Sequence, residues 1–101
     1  MEIKKLQENI DKIIKIYGGY WHPLSILARL YEEVGELSRA INIKYGDKKK
    51  KSQEDGREIE TEISDVIFTI IAMANTFNIN LDKELNDKIN KDLERNKGIY
   101  H

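Results

Sequence analysis

The chain contains no cysteine, which excludes a thiol nucleophile, Cys-ligated zinc and iron–sulfur clusters. A single Pro and six Gly in 101 residues confine breaks in regular structure to a few places. There is no basic excess either. Seventeen Lys+Arg against eighteen Asp+Glu, a net charge of −1, is too little to neutralise a phosphate backbone, so no nucleic-acid partner is expected. Long apolar runs are also missing. The longest, Val66 to Ala74, is nine residues and includes Thr69, about half of the roughly 20 needed to cross a bilayer. Met1 to Leu6 alternate in charge with no apolar stretch behind them. Neither a signal peptide nor a membrane contact is expected, and the reading is a cytoplasmic protein. A chain of about 100 residues can hide roughly two-thirds of its unfolded surface without disulfides, which suits one domain over residues 1–101.

What is present is helical periodicity. Ile3, Leu6, Ile10, Ile13 and Tyr17 recur in threes and fours, predicting a first amphipathic helix over residues 2–17 that ends at Gly18-Gly19. Leu27, Leu30, Tyr31, Val34, Leu37 and Ile41 repeat the pattern from just after Pro23 to about Tyr45. Residues 46–56 are wholly polar and include Lys48 to Lys51, a solvated loop. A third helix is predicted from Arg57 to Phe77, burying Ile59, Ile63, Val66, Ile67, Ile70, Ala74 and Phe77. Because Phe68, Ile71, Ala72 and Met73 are apolar too, its second half is hydrophobic nearly all round and must be covered on every side. Four helices of this length can hardly surround it, so a second copy of the chain is expected to do so. Asn80 is a good N-cap for a last helix from Leu81 to Arg95 with Leu85, Ile89 and Leu93 inward. The fold class is all-α, a four-helix bundle acting as a subunit of an obligate oligomer.

The chemistry lies in the order of the acids. Helix two carries Glu32, Glu33 and Glu36, and helix three carries Glu62 and Asp65. Residues three apart on a helix are neighbours, so Glu33 with Glu36 and Glu62 with Asp65 form carboxylate pairs, each bordering an apolar stripe. If those stripes face one another, four carboxylates converge at an edge of the core. Crowded like charges repel, and a divalent cation resolves the repulsion; oxygen donors suit Mg²⁺, with Mn²⁺ as a substitute. The bland alternative is the solvated acidic face of a helical interaction module.

The segment Leu30-Tyr-Glu-Glu-Val-Gly-Glu-Leu37, followed after a loop by Glu62-Ile-Ser-Asp-Val-Ile-Phe68, resembles the E-E-x-x-E and E-x-x-D signature of the MazG-like all-α nucleotide pyrophosphohydrolases. The resemblance implies Mg²⁺-dependent cleavage of a nucleoside triphosphate to the monophosphate and pyrophosphate. It makes Glu33, Glu36, Glu62 and Asp65 the metal ligands and Glu32 a supporting or water-orienting acid. Ser64 stands where Gly is common in the family. Lys88, Lys91 and Arg95 form a stripe on helix four that the resemblance directs to phosphates, with Asp92 where relatives often carry Asn. Trp21, in the cluster Tyr20-Trp21-His22-Pro23, is the candidate for stacking on the base, with His22 and Asn42 as polar contacts. A homodimer or homotetramer would complete the pocket. A phosphoribosyl-ATP pyrophosphatase ranks second, because Val66-Ile67-Phe68 follow Asp65 where that group has Tyr-His. A di-iron bundle would need Glu-x-x-His pairs, which neither His22 nor His101 supplies.

Overall fold

In a computed structural model, which describes residues 2–46 and 58–96, the helices are α1 (Ile3–Ile16), α2 (Pro23–Tyr45), α3 (Ile59–Thr76) and α4 (Leu81–Asn96). No strand occurs among the described residues, and the predicted ends are met to within two residues. The Lys48 to Lys51 run and Arg57 lie outside the described residues. Among the described residues no single helix is long and apolar enough to cross a membrane.

Local chemistry sets the helix ends. Beyond the C-cap Tyr17, Gly18 and Gly19 take positive φ. Gly19 N–H donates to Ile14 O at 2.9 Å and Gly18 N–H to Lys15 O at 3.3 Å, the Schellman pairing that satisfies the last carbonyls. α3 ends in the same way with Asn78 at φ 57°; Ile79 N–H reaches Ala74 O at 2.9 Å. α2 starts on Pro23 at a position where a missing N–H costs nothing, and His22 Nδ1 accepts from Leu24 N–H at 3.1 Å. Asn80 Oδ1 accepts from Lys83 N–H, as an N-cap should. α1 is capped from far along the chain. Asp82 accepts from Ile3 N–H and Lys4 N–H, which places its negative charge at the positive end of the helix dipole.

α2 and α3 share the most extensive packing, and α4 rests on α1 after turning 106° away from α3. The junction is polar. Gln7 is buried; its Nε2 donates to Asn75 Oδ1 at 2.9 Å and to Ile79 O at 2.8 Å, and its Oε1 accepts from Leu81 N–H at 3.1 Å. Asn75 Nδ2 donates to Gln7 O and to the Tyr20 hydroxyl, which donates to Asp11. One network therefore joins α1, α3, the α1–α2 corner and the α3–α4 turn.

The buried stripes match the predicted ones only in part: Ile3, Leu6 and Ile10 on α1, Leu30 and Leu37 on α2, and Ile59, Val66 and Ala74 on α3 are inward as predicted. On α2 the inward positions are Ile26, Leu30, Glu33, Leu37 and Ala40, spaced 4-3-4-3, while Leu27, Tyr31, Val34 and Ile41 are exposed. On α3 the inward positions include Glu62, Asp65, Val66, Thr69, Ala72 and Met73, while Ile63, Ile67, Ile70 and Phe77 are exposed. Ile13 and Tyr17 of α1 and Leu85, Ile89 and Leu93 of α4 are exposed as well. The reason is that α2 and α3 turn their acids toward each other and leave much of their apolar surface outward, where an apolarity count would place the interior.

Replacing Gln7 with Leu leaves Leu81 N–H, Ile79 O and Asn75 without their partner. It should cost about 2–3 kcal/mol, read as a lower urea midpoint. Tyr20→Phe should cost about 1 kcal/mol at neutral pH. Burial, and then the bond to Asp11, raises the Tyr20 hydroxyl pKa. Its contribution is therefore complete below the ordinary tyrosine pKa of about 10 and is lost as pH rises through the higher folded value. The gap between wild type and Tyr20→Phe should accordingly close in alkaline urea titrations.

Candidate active site

The antiparallel register of α2 and α3 builds the site. Ile26 and Arg29 from the start of α2 share a cleft of about 250 Å³ with Phe68, Thr69 and Ala72 from the second half of α3, and Tyr17, Tyr20 and Trp21 close it from the α1–α2 corner. That volume is below the roughly 300–1,000 Å³ of pockets that enclose a whole drug-sized ligand, so it suits a ring system. Its walls are aromatic and apolar. Thr69 Oγ1 is satisfied within its own helix by Asp65 O at 2.9 Å.

The acids follow directly. Glu33 lies one turn beyond Arg29 on α2, and Asp65 one turn before Thr69 on α3, about 6 Å along each helix. Glu36 and Glu62 come one turn further. The Glu62 residue is 1% exposed, with both carboxylate oxygens shielded from solvent. The Glu33 side chain is 14% exposed, Asp65 is half-buried, and Glu32 and Glu36 are exposed. Arg29 approaches Glu33 to 3.7 Å and Glu32 to 3.9 Å, and its guanidinium carbon stands 6.0 Å from the centre of the Trp21 ring. Among the described residues no three acidic or histidine side chains form a ready-made metal cage. The donor set nevertheless fits Mg²⁺ in kind. It is all oxygen and half of it is withdrawn from solvent, and Mg²⁺ is usually held by one or two carboxylates together with substrate phosphates.

A scan against family models matches residues 22–99 to the MazG nucleotide pyrophosphohydrolase domain. The chain belongs to the MazG family. YpjD of Bacillus subtilis (strain 168) is 42% identical over 88 residues, covering 86% of this chain and 78% of that protein. The crystal structure of the Bacillus-conserved MazG protein, a nucleotide pyrophosphohydrolase, matches with a TM-score of 0.75 at 40% identity, covering 90% of this chain and 88% of the other. The crystal structure of YPJD from Bacillus subtilis matches with a TM-score of 0.78 at 39% identity, covering 90% and 94%. The four-helix, all-α MazG fold expected from the acidic signature is thus present, and with it nucleotide pyrophosphohydrolase chemistry.

Trp21, the residue predicted to stack on a base, lines the cleft. His22 is next to it in sequence, and its Nδ1 is engaged in capping α2. Asn42 is separated from the cleft. It stands 42 − 29 = 13 residues beyond Arg29, about 20 Å along the helix, and its Nδ2 donates to Ser38 O. Helical rise alone puts it at the far end of α2. The basic stripe is internally paired. Lys88 meets Asp92 at 3.1 Å and Arg95 meets it at 2.9 Å, and the Lys88 hydrogen bond, helped by Arg95, holds the Asp92 carboxyl below its usual range. Lys91 is exposed on the same helix. The residues missed in the sequence are Arg29, Phe68, Thr69 and Tyr17. The available signal was i,i+4 spacing to the acids, Arg29 to Glu33 and Asp65 to Thr69.

Asp92→Asn releases Lys88 and Arg95. Apparent affinity for inorganic triphosphate, measured by calorimetry at low salt, should rise by about two- to fivefold, the scale of exposed ion pairs.

Proposed function

We propose that the protein hydrolyses nucleoside triphosphates, ribo- or deoxyribo-, to the monophosphate and pyrophosphate in the presence of Mg²⁺, with Mn²⁺ able to replace it. The observation that carries this reading is the one-turn offset between cleft and acids on both helices. A base lodged against Trp21 and Phe68 leaves its phosphate chain to run along the α2–α3 interface toward Glu33, Asp65, Glu36 and Glu62. Glu33, Glu36, Glu62 and Asp65 would hold the cation, which when bound supplies neutralisation of the phosphate charge and a more acidic water.

The remaining work falls to the chain itself. Trp21 and the cleft walls fix the nucleoside, which converts the attack of water on a phosphoanhydride into a positioned event. Glu32, the exposed acid next to Glu33, would orient that water. No Ser or Cys nucleophile is needed. Lys88, Lys91 and Arg95 would meet the phosphates from α4. Since that helix packs on α1, we assign the contact to a second copy in a homodimer or homotetramer. The outward apolar residues Ile63, Ile67 and Ile70 on α3, 43–47% exposed, support such a partner, because that exposure forgoes somewhat under half of the roughly 1.5–3 kcal/mol that full burial of each would give.

Purified protein incubated with ribo-, deoxyribo- and oxidised nucleoside triphosphates and Mg²⁺ should release monophosphate and pyrophosphate. Glu36→Gln and Asp65→Asn should lower the rate by at least the roughly 10–100-fold that loss of a metal site's outer-shell partners causes. An inert wild type across the panel, or acid variants at full rate, would reject the reading.

A further inference from the structure

Arg29 touches both halves of the site. It lines the cleft, faces the Trp21 ring at 6.0 Å, and stands 3.7 Å and 3.9 Å from the Glu33 and Glu32 carboxylates. Its side chain is half exposed, whereas that of Glu33 is 14% exposed. The guanidinium is therefore the solvated member of the pair and the carboxylate the enclosed one. The separations exceed the roughly 2.7–2.9 Å of a charge-assisted hydrogen bond, so the cation is not locked in a bidentate fork. Arg29 also precedes both acids on the helix, the less favourable order for an i,i+3 or i,i+4 pair. This ion pair can be exchanged at little cost.

We propose that Arg29 is a place-holding counter-ion, a positioning residue that neutralises Glu33 while the acidic edge carries no divalent cation. It yields that carboxylate when the cation binds, and the released guanidinium receives the anionic chain of a nucleotide whose ring fills the cleft. Cleft and acidic edge are thereby coupled through one side chain. The inference rests on the reading above that a divalent cation sits at these carboxylates.

Trp21 is the sole tryptophan, so intrinsic fluorescence reports on the ring that Arg29 faces. Wild type, Arg29→Gln and Arg29→Lys are titrated without nucleotide, with Mn²⁺ followed by electron paramagnetic resonance and with Mg²⁺ followed by Trp21 emission. Arg29→Gln should bind Mn²⁺ roughly three- to tenfold more tightly, since a competing positive charge is gone, and Arg29→Lys should stay within about twofold of wild type. Mg²⁺ should change Trp21 emission in wild type and not in Arg29→Gln. Equal or weaker Mn²⁺ binding by Arg29→Gln overturns the inference, as does a Trp21 response unchanged by the substitution. If Arg29→Gln does not fold, the wild type decides: no Mg²⁺ response of Trp21 overturns it. Hydrolysis by a wild type whose Mn²⁺ affinity is insensitive to Arg29→Gln removes the place-holder role and leaves the pyrophosphohydrolase reading intact. A wild type that hydrolyses nothing, with the Mn²⁺ contrast present, does the reverse.

Discussion

The buried Gln7 amide, hydrogen-bonded to Asn75, Ile79 O and Leu81 N–H, is the constraint on which the rest of the structure depends. A primary amide offers two donors and two acceptor lone pairs, and burying it is tolerable only when those groups find partners. The partners come from α3 and from the turn into α4, so the helices dock in one relative position. Asn75 passes the constraint on to Tyr20, whose ring is a wall of the aromatic cleft. The shape of the cleft is thus set from behind, by polar bonds made in the helical junction.

The α2–α3 interface carries a second tension. Glu33, Glu62, Asp65 and Thr69 occupy inward or half-inward positions, while Ile63, Ile67 and Ile70 point out. For an isolated chain this is an unfavourable arrangement, since carboxylates lose hydration while the isoleucines stay 43–47% exposed. In the proposed function both faces find a use: the inward acids hold a cation and the outward isoleucines meet a second copy. Arg29, set against Glu33, reduces the first cost in the meantime.

Much of this was legible in order and spacing. The helices, their caps at Asn80 and the Gly18-Gly19 stop, and the acidic signature all follow from local rules, because caps and i,i+3 neighbours involve residues within a turn of one another. The cleft was half legible. Trp21 stood out by composition, but Phe68, Thr69 and Arg29 gain meaning only when α2 and α3 lie antiparallel. Asn42 differs: its distance from Arg29 follows from helical rise within α2 alone.

The sequence by itself determined that the chain is helical, where each helix starts and stops, and which carboxylates are paired. These are short-range properties of backbone geometry and side-chain spacing. Only the tertiary structure decided the rotation of each helix about its axis. Apolarity predicted Ile63, Ile67 and Ile70 inside, and the folded chain turns Glu62, Asp65 and Thr69 there instead. A helix that is apolar nearly all round has no unique inward face, so its phase is set by what it packs against: an acidic α2, and a polar junction that fixes its C-terminal end at Asn75.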